Sequence, residues 1–109
     1  MGNKRGLQVA LGNRALIVAG SGDHAGAMTL MQEQERLCRE LETPEGVAAS
    51  LVNQALVLVQ ARRTREALPL AEEAHRVATS YGLTALLEEL GPSVDYVRRA
   101  QRSAERDDS

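Results

Sequence analysis

The chain has 109 residues, of which 43% are apolar and 26% are charged, with a formal net charge of −2. Because its acidic and basic residues are interspersed, it has no electrostatic footprint for nucleic acid or anionic lipid, and we expect neither as a partner. Tyr81 and Tyr96 are the only aromatic residues. An aliphatic core with few strand-forming residues favours a single all-α domain over residues 1–109.

Cysteine usage and hydropathy bear on the cellular compartment. Cys38 is the only cysteine, which excludes an internal disulfide bond. No apolar stretch approaches the roughly 18 residues that a membrane-spanning helix needs, and none has the pattern of an export signal. We therefore expect a cytoplasmic protein with no membrane partner.

The first unit of the chain, residues 6–41, divides into two helical segments. The sequence Gly20-Ser21-Gly22-Asp23 separates them, because glycine permits positive φ and Asp23 can accept hydrogen bonds from the N–H groups that open the next helix. In the second segment the apolar residues recur at spacings of three, four and seven, which is typical of one helical face. They are Ala27, Leu30, Met31, Leu37, Cys38 and Leu41.

The second unit, residues 46–81, has the same two-helix pattern. Thr43 and Pro44 precede it as the N-cap and first residue of a helix, where the missing N–H of proline costs nothing. Gly82 follows it at a position that ends a helix. Pro69 lies about five residues into the second helix of this unit, so that helix either begins late or bends there.

A fifth helical segment covers residues 83–102 and would cap the preceding helices. Its apolar stripe keeps helical phase across Gly91-Pro92, so we predict one helix with a kink, with two shorter helices as the alternative. The polar residues 103–109 are expected to fray. The stripe consists of Leu83, Leu86, Leu87, Leu90, Val94 and Val97.

The two units are related by an internal repeat. A shift of 40 positions superimposes residues 6–41 on residues 46–81 without a gap, and the matches follow the apolar pattern of both helices. A helical unit that recurs at a fixed period indicates a stack of helical hairpins. The identical pairs are Gly6/Gly46, Leu11/Leu51, Asn13/Asn53, Ala15/Ala55, Leu16/Leu56, Ala27/Ala67, Leu30/Leu70, Glu33/Glu73 and Arg36/Arg76.

This pattern resembles the tetratricopeptide repeat family, in a longer variant with a period near 40 residues instead of about 34. The first unit has Leu-Gly-Asn at 11–13, a Gly-Asp turn at 22–23 and a small residue at Ala27, in the order in which the family places its first-helix contacts, turn and second-helix small residue. The chain departs from the family in lacking large aromatic residues. It also has polar Arg14 and Gln54 at a helix position that is usually apolar.

The resemblance implies an α-α superhelix of two antiparallel helical hairpins plus a C-terminal capping helix, with a concave groove lined by the first helix of each pair. It implies that the groove binds a peptide or helix of a partner protein. Asn13 and Asn53 would bond the partner's backbone, since an amide has both a donor and an acceptor. Alternatively, they bond a neighbouring helix. The expected groove residues are Asn13, Asn53, Val9, Leu16, Val52, Leu56 and Gln60.

No catalytic or metal site is predicted. Cys38 is interpreted as a small core residue, because no basic neighbour or Cys-x-x-Cys spacing favours a reactive thiol. His24 and His75 have no clustered second set of ligands, so we expect no bound metal. The glycines at 20–22 are not followed by the Gly-Lys-Ser/Thr of a phosphate loop. We therefore expect neither an enzyme nor a cofactor.

A structural role in assembly is the alternative function. Two units and a cap fall short of the three or so repeats that usually make such an array stable. Leu7 and Leu11 have no preceding helix to cover them, whereas polar residues of the last helical segment can face water. The chain would then pair with a second copy of itself through its N-terminal hairpin, or form the C-terminal end of a longer array.

Overall fold

Five α-helices follow one another along the chain, separated by turns of three residues. A computed structural model describes residues 3–107, and this part of the chain contains no strand, which confirms the all-α prediction. The helices are α1 (Lys4–Gly20), α2 (His24–Glu40), α3 (Pro44–Gln60), α4 (Thr64–Ser80) and α5 (Thr84–Asp107).

The helices pack as a stack of antiparallel hairpins. Each helix packs on the next one in the chain, and α3 also contacts α5. The main core surrounds α3, where Leu51 and Ala55 are buried together with Ala71 of α4 and Val94 of α5. In contrast, α1 contributes one fully buried residue, Ala15. The fold is therefore a helical repeat in which α1, α3 and α5 begin 40 residues apart, as the first helices of successive units.

One turn geometry joins all the helices. The N–H of Leu83 donates to the carbonyl of Ala78 at 2.9 Å, and the N–H of Arg63 donates to that of Leu58 at 2.8 Å. These bonds satisfy carbonyls that a helix C-terminus leaves without partners, and they require a left-handed residue just past the end. The left-handed residues recur every 20 positions: Gly22 (φ 92°), Glu42 (φ 54°), Arg62 (φ 63°) and Gly82 (φ 64°).

Helices α2 and α3 begin at the residues that the sequence predicts. Asp23 precedes α2 and its carboxylate accepts a hydrogen bond from the N–H of Gly26 at 2.9 Å. Thr43 and Pro44 are the N-cap and first residue of α3. However, the Thr43 hydroxyl makes no capping bond and instead lies 3.5 Å from the carbonyl of Leu41.

Neither internal proline interrupts its helix. Helix α4 begins at Thr64 as the repeat predicts, although Pro69 in its second turn has no N–H to donate. Helix α5 is a single helix through Gly91 and Pro92, so the alternative of two shorter helices is wrong.

The last helix is longer than the predicted capping helix of residues 83–102, because residues 103–107 continue α5. Gln101 is buried, and its side-chain N–H donates to the Glu105 carboxylate at 3.2 Å, one turn further on. This contact extends the helix beyond the last apolar residue of the stripe. Residues 108–109 lie outside the described part of the chain.

An ion pair between helices fastens α5 to α4. The guanidinium of Arg98 donates to both carboxylate oxygens of Glu72, at 2.7 and 2.8 Å. These hydrogen bonds lower the pKa of Glu72, against the opposite effect of its partial burial. A two-point contact of this kind fixes the orientation of one helix on the other.

We expect the charge of this pair to stabilise the fold only while Glu72 is ionised. Its pKa is below the ordinary value of 4.5 in the folded chain, so the stabilisation is present above that pH and is lost as the pH falls through the folded pKa. Arg98→Gln should lower the melting temperature at neutral pH, and this loss should shrink as the pH is lowered through the folded pKa of Glu72. Circular dichroism melts over a series of pH values test this, with exposed Arg99→Gln as control. A loss that stays the same after Glu72 is protonated would contradict it.

We expect Glu42→Gly to stabilise the protein, because a left-handed backbone is unfavourable for any residue with a Cβ atom. The free energy of unfolding should rise by about 0.5–1 kcal/mol. Gly82→Ala, at the equivalent position 40 residues later, should lower the free energy of unfolding by a similar amount. Urea unfolding of both variants measures the effect. If Glu42→Gly destabilised the protein instead, the contacts of the Glu42 side chain would contribute more to stability than its left-handed backbone costs.

Candidate functional site

An open groove lies between α1 and α3. Both helices pack on α2, but in the described part of the chain α1 has no comparable contact with α3. A hollow of about 520 Å³ is left between them, with buried Met31 and Val57 in its floor. We call it the α1–α3 groove. Its lining residues are Leu16, Ala19, Gly20, His24, Met31, Asn53, Leu56, Val57 and Gln60.

The groove brings together four of the seven predicted binding residues. Leu16 on α1 is 55% exposed, and across the groove Asn53 and Leu56 on α3 are half-buried, with Gln60 exposed beside them. The lining therefore combines apolar side chains with two side-chain amides. Such a lining is typical of sites that bind an apolar ligand and orient it through a few polar groups.

The side-chain amide of Asn53 is available to a ligand. Within residues 3–107 it makes no hydrogen bond, and neither does that of Asn13. Neither amide therefore bonds a neighbouring helix within residues 3–107, which was the alternative interpretation. A half-buried amide without a protein partner is a group that a bound backbone can satisfy.

Val9 and Asn13 lie outside the groove. Both are on the exposed side of α1, Val9 two helical turns and Asn13 one turn before Leu16, and Val9 is more than half exposed. They extend the same side of α1 toward its N-terminus. A ligand longer than the groove would reach them, whereas a short one would not.

Val52 does not line the groove, where the prediction placed it. It is only 4% exposed and belongs to the main core. Because α3 is surrounded by α2, α4 and α5, a single strip of it remains open, and Val52 is turned about 100° around the helix from Asn53. The open strip consists of Ala49, Asn53, Leu56 and Gln60.

The sequence reasoning missed Tyr96. A second shift of 40 positions places it on α5 at the site equivalent to Leu16 and Leu56, and it is 48% exposed. It lines a neighbouring hollow together with Val59 and Arg99. The 40-residue period carries the signal, because Tyr96 stands 40 positions after Leu56.

The chain has one cysteine and two histidines, residue types that are common in nucleophilic and metal sites. Cys38 is fully buried, its thiol lies 3.3 Å from the side-chain oxygen of Gln8, and burial raises the pKa of the thiol. His24 lines the groove and His75 is exposed on α4. Among residues 3–107, no three His, Cys, Asp or Glu side chains lie close enough together to hold a metal ion.

None of the described helices combines the length and the apolarity needed to cross a membrane.

No protein-family model matches the chain, and no curated protein matches it. The groove and its exposed side chains are therefore the observations from which a function can be argued.

We expect a sharp contrast between two neighbouring residues of α3. Val52→Ala removes two buried methyl groups and should lower the free energy of unfolding by about 2 kcal/mol. Asn53→Ala, on the open strip, should change it by no more than about 0.5 kcal/mol. Guanidinium unfolding monitored by circular dichroism measures both. A large loss for Asn53→Ala would give that amide a structural role.

Proposed function

We propose that this chain is a protein-interaction module that binds a peptide or a helix of a partner protein in the α1–α3 groove. The observation that carries the proposal is the matched exposure of apolar side chains on successive first helices. Leu16, Leu56 and Tyr96 occupy equivalent positions; Leu16 and Tyr96 are exposed, and Leu56 packs against the core with part of its side chain open to solvent. Exposed apolar side chains in a hollow mark an interaction site.

The amides of the groove suit a polypeptide ligand. An extended peptide has backbone N–H and C=O groups that need partners, and a groove between helices offers no strand to pair with them. Asn53 and Gln60 each supply a donor and an acceptor beside the apolar residues. Affinity would come from burying the ligand's apolar side chains, and alignment from the amides.

We propose that the chain belongs to the tetratricopeptide repeat family because of its sequence pattern. The helical hairpins that recur every 40 residues support this assignment. As part of this proposal the chain has no catalytic activity, because no nucleophile, base and acid converge in the groove residues. A cytoplasmic location also belongs to the proposal and rests on the unpaired, buried Cys38.

A structural role in assembly is the second candidate. It is favoured by a separate observation, which is that α1 exposes Leu7 and Ile17 on the side away from the groove. The two candidates use different faces of α1, so substitutions can separate them.

Selection of peptides from a random display library on the immobilised chain tests the groove. We expect selected peptides to bind the wild-type chain, and Leu56→Asp to weaken them at least tenfold by placing a charge in the apolar lining. Asn53→Ala should weaken them less. The matched control is Ile17→Asp, which puts the same charge on an exposed apolar residue outside the groove.

Affinities measured by fluorescence anisotropy decide the matter. Peptides that bind Leu56→Asp as tightly as the wild type, or that are weakened only by Ile17→Asp, would contradict groove binding. So would a library that yields no binding peptide. Circular dichroism of each variant establishes that it is folded.

A further inference from the structure

The first helices of the three units share a second face, which the 40-residue period identifies. On α3 and α5 this face packs against the preceding helix, and it is buried except for half-buried Leu87. On α1 the equivalent residues are all exposed, and Ile17 is 74% exposed. We call these α1 residues the α1 outer face. The equivalent sets are Val47, Ser50, Gln54 and Val57 on α3, Leu87, Leu90, Val94 and Val97 on α5, and Leu7, Ala10, Arg14 and Ile17 on α1.

The contact between α2 and α3 shows what such a face accepts. The Ser50 hydroxyl donates to the carbonyl of Met31 at 2.7 Å, and the Gln54 amide donates to the Glu35 carboxylate at 2.9 Å. Val57 is buried against Met31 in the same cluster. The occupant of this face is therefore an antiparallel amphipathic helix with an apolar stripe and one carboxylate opposite position 54.

The α1 outer face differs from that of α3 chiefly in charge. Leu7 and Ile17 replace two valines, but Arg14 stands where α3 has Gln54. Arg14 is exposed and has no ion pair within residues 3–107. No acidic residue occurs in α1, which also contains Arg5 and Lys4, the latter paired with Glu40 of α2 at 3.1 Å. A helix docked here would place its carboxylate opposite a guanidinium, a stronger partner than the amide of Gln54.

We propose that the α1 outer face binds an amphipathic helix of a partner protein, antiparallel to α1, with an acidic residue opposite Arg14. This site is separate from the α1–α3 groove, because Ile17 and Leu16 point about 100° apart around α1. The inference does not rest on the proposed function of the groove.

A second copy of this chain does not supply the required helix. The stripes of α2 and α4 are already covered by α3 and α5. Pairing two α1 outer faces would bring two copies of Arg14 together with no acidic residue on either α1, and like charges at such a contact oppose association. The charge pattern therefore favours an acidic partner helix.

The chain itself provides the probe. A synthetic peptide of residues 23–41 carries the α2 stripe, and a covalent cross-link between exposed positions 32 and 36 holds it helical. Its binding to the full chain is measured by fluorescence anisotropy. We expect Ile17→Asp to weaken binding at least tenfold and Arg14→Glu to do the same. Leu16→Asp, in the groove, is the matched control and should bind as the wild type does.

Charge reversal tests the predicted pairing. A peptide in which Glu35 is replaced by Lys should bind Arg14→Glu at least tenfold more tightly than it binds the wild type, which a misfolded variant could not do. The proposal is overturned if the wild type does not bind the peptide at millimolar concentration, if Ile17→Asp binds normally, or if reversal fails to restore binding. It is also overturned if light scattering shows a dimer that Ile17→Asp dissociates, since a second copy would then occupy the face.

Discussion

The fold depends on one backbone constraint, the left-handed residue that ends a helix at every twentieth position. This spacing gives α1 to α4 the same length of 17 residues, about 25 Å, and keeps residues 40 positions apart at equivalent heights. Glu42 and Arg62 adopt this conformation without being glycine. Their strain is tolerated because helix packing on both sides of each turn over-determines the backbone.

Helix α3 is the centre of the structure and α1 is its least enclosed part. Three neighbours bury α3 on all sides but one, so its open strip is defined by what the neighbours leave uncovered. The groove exists because α1 follows α2 and does not close onto α3. A site of this kind needs no specialised loop, since it results from the number of helices that surround each position.

Helix phase and turn chemistry were predictable from the sequence, because the apolar spacing and residues such as Gly22 and Gly82 act locally. The turn at Arg62 was not, since no glycine marks it. The burial of Val52 depends on α5 packing against α3, a contact between distant segments that helical periodicity does not reveal. Tyr96 was missed because the third unit retains the position but not the residue type of Leu16 and Leu56.

The sparse anchoring of α1 has a thermodynamic consequence. With Ala15 as its one fully buried residue, α1 has the least apolar burial to oppose local unfolding, so its amide hydrogens should exchange with solvent before those of α3. A helix bound to its outer face would order α1 and with it one wall of the α1–α3 groove. By linkage, occupation of either face would then raise the affinity of the other by the same factor.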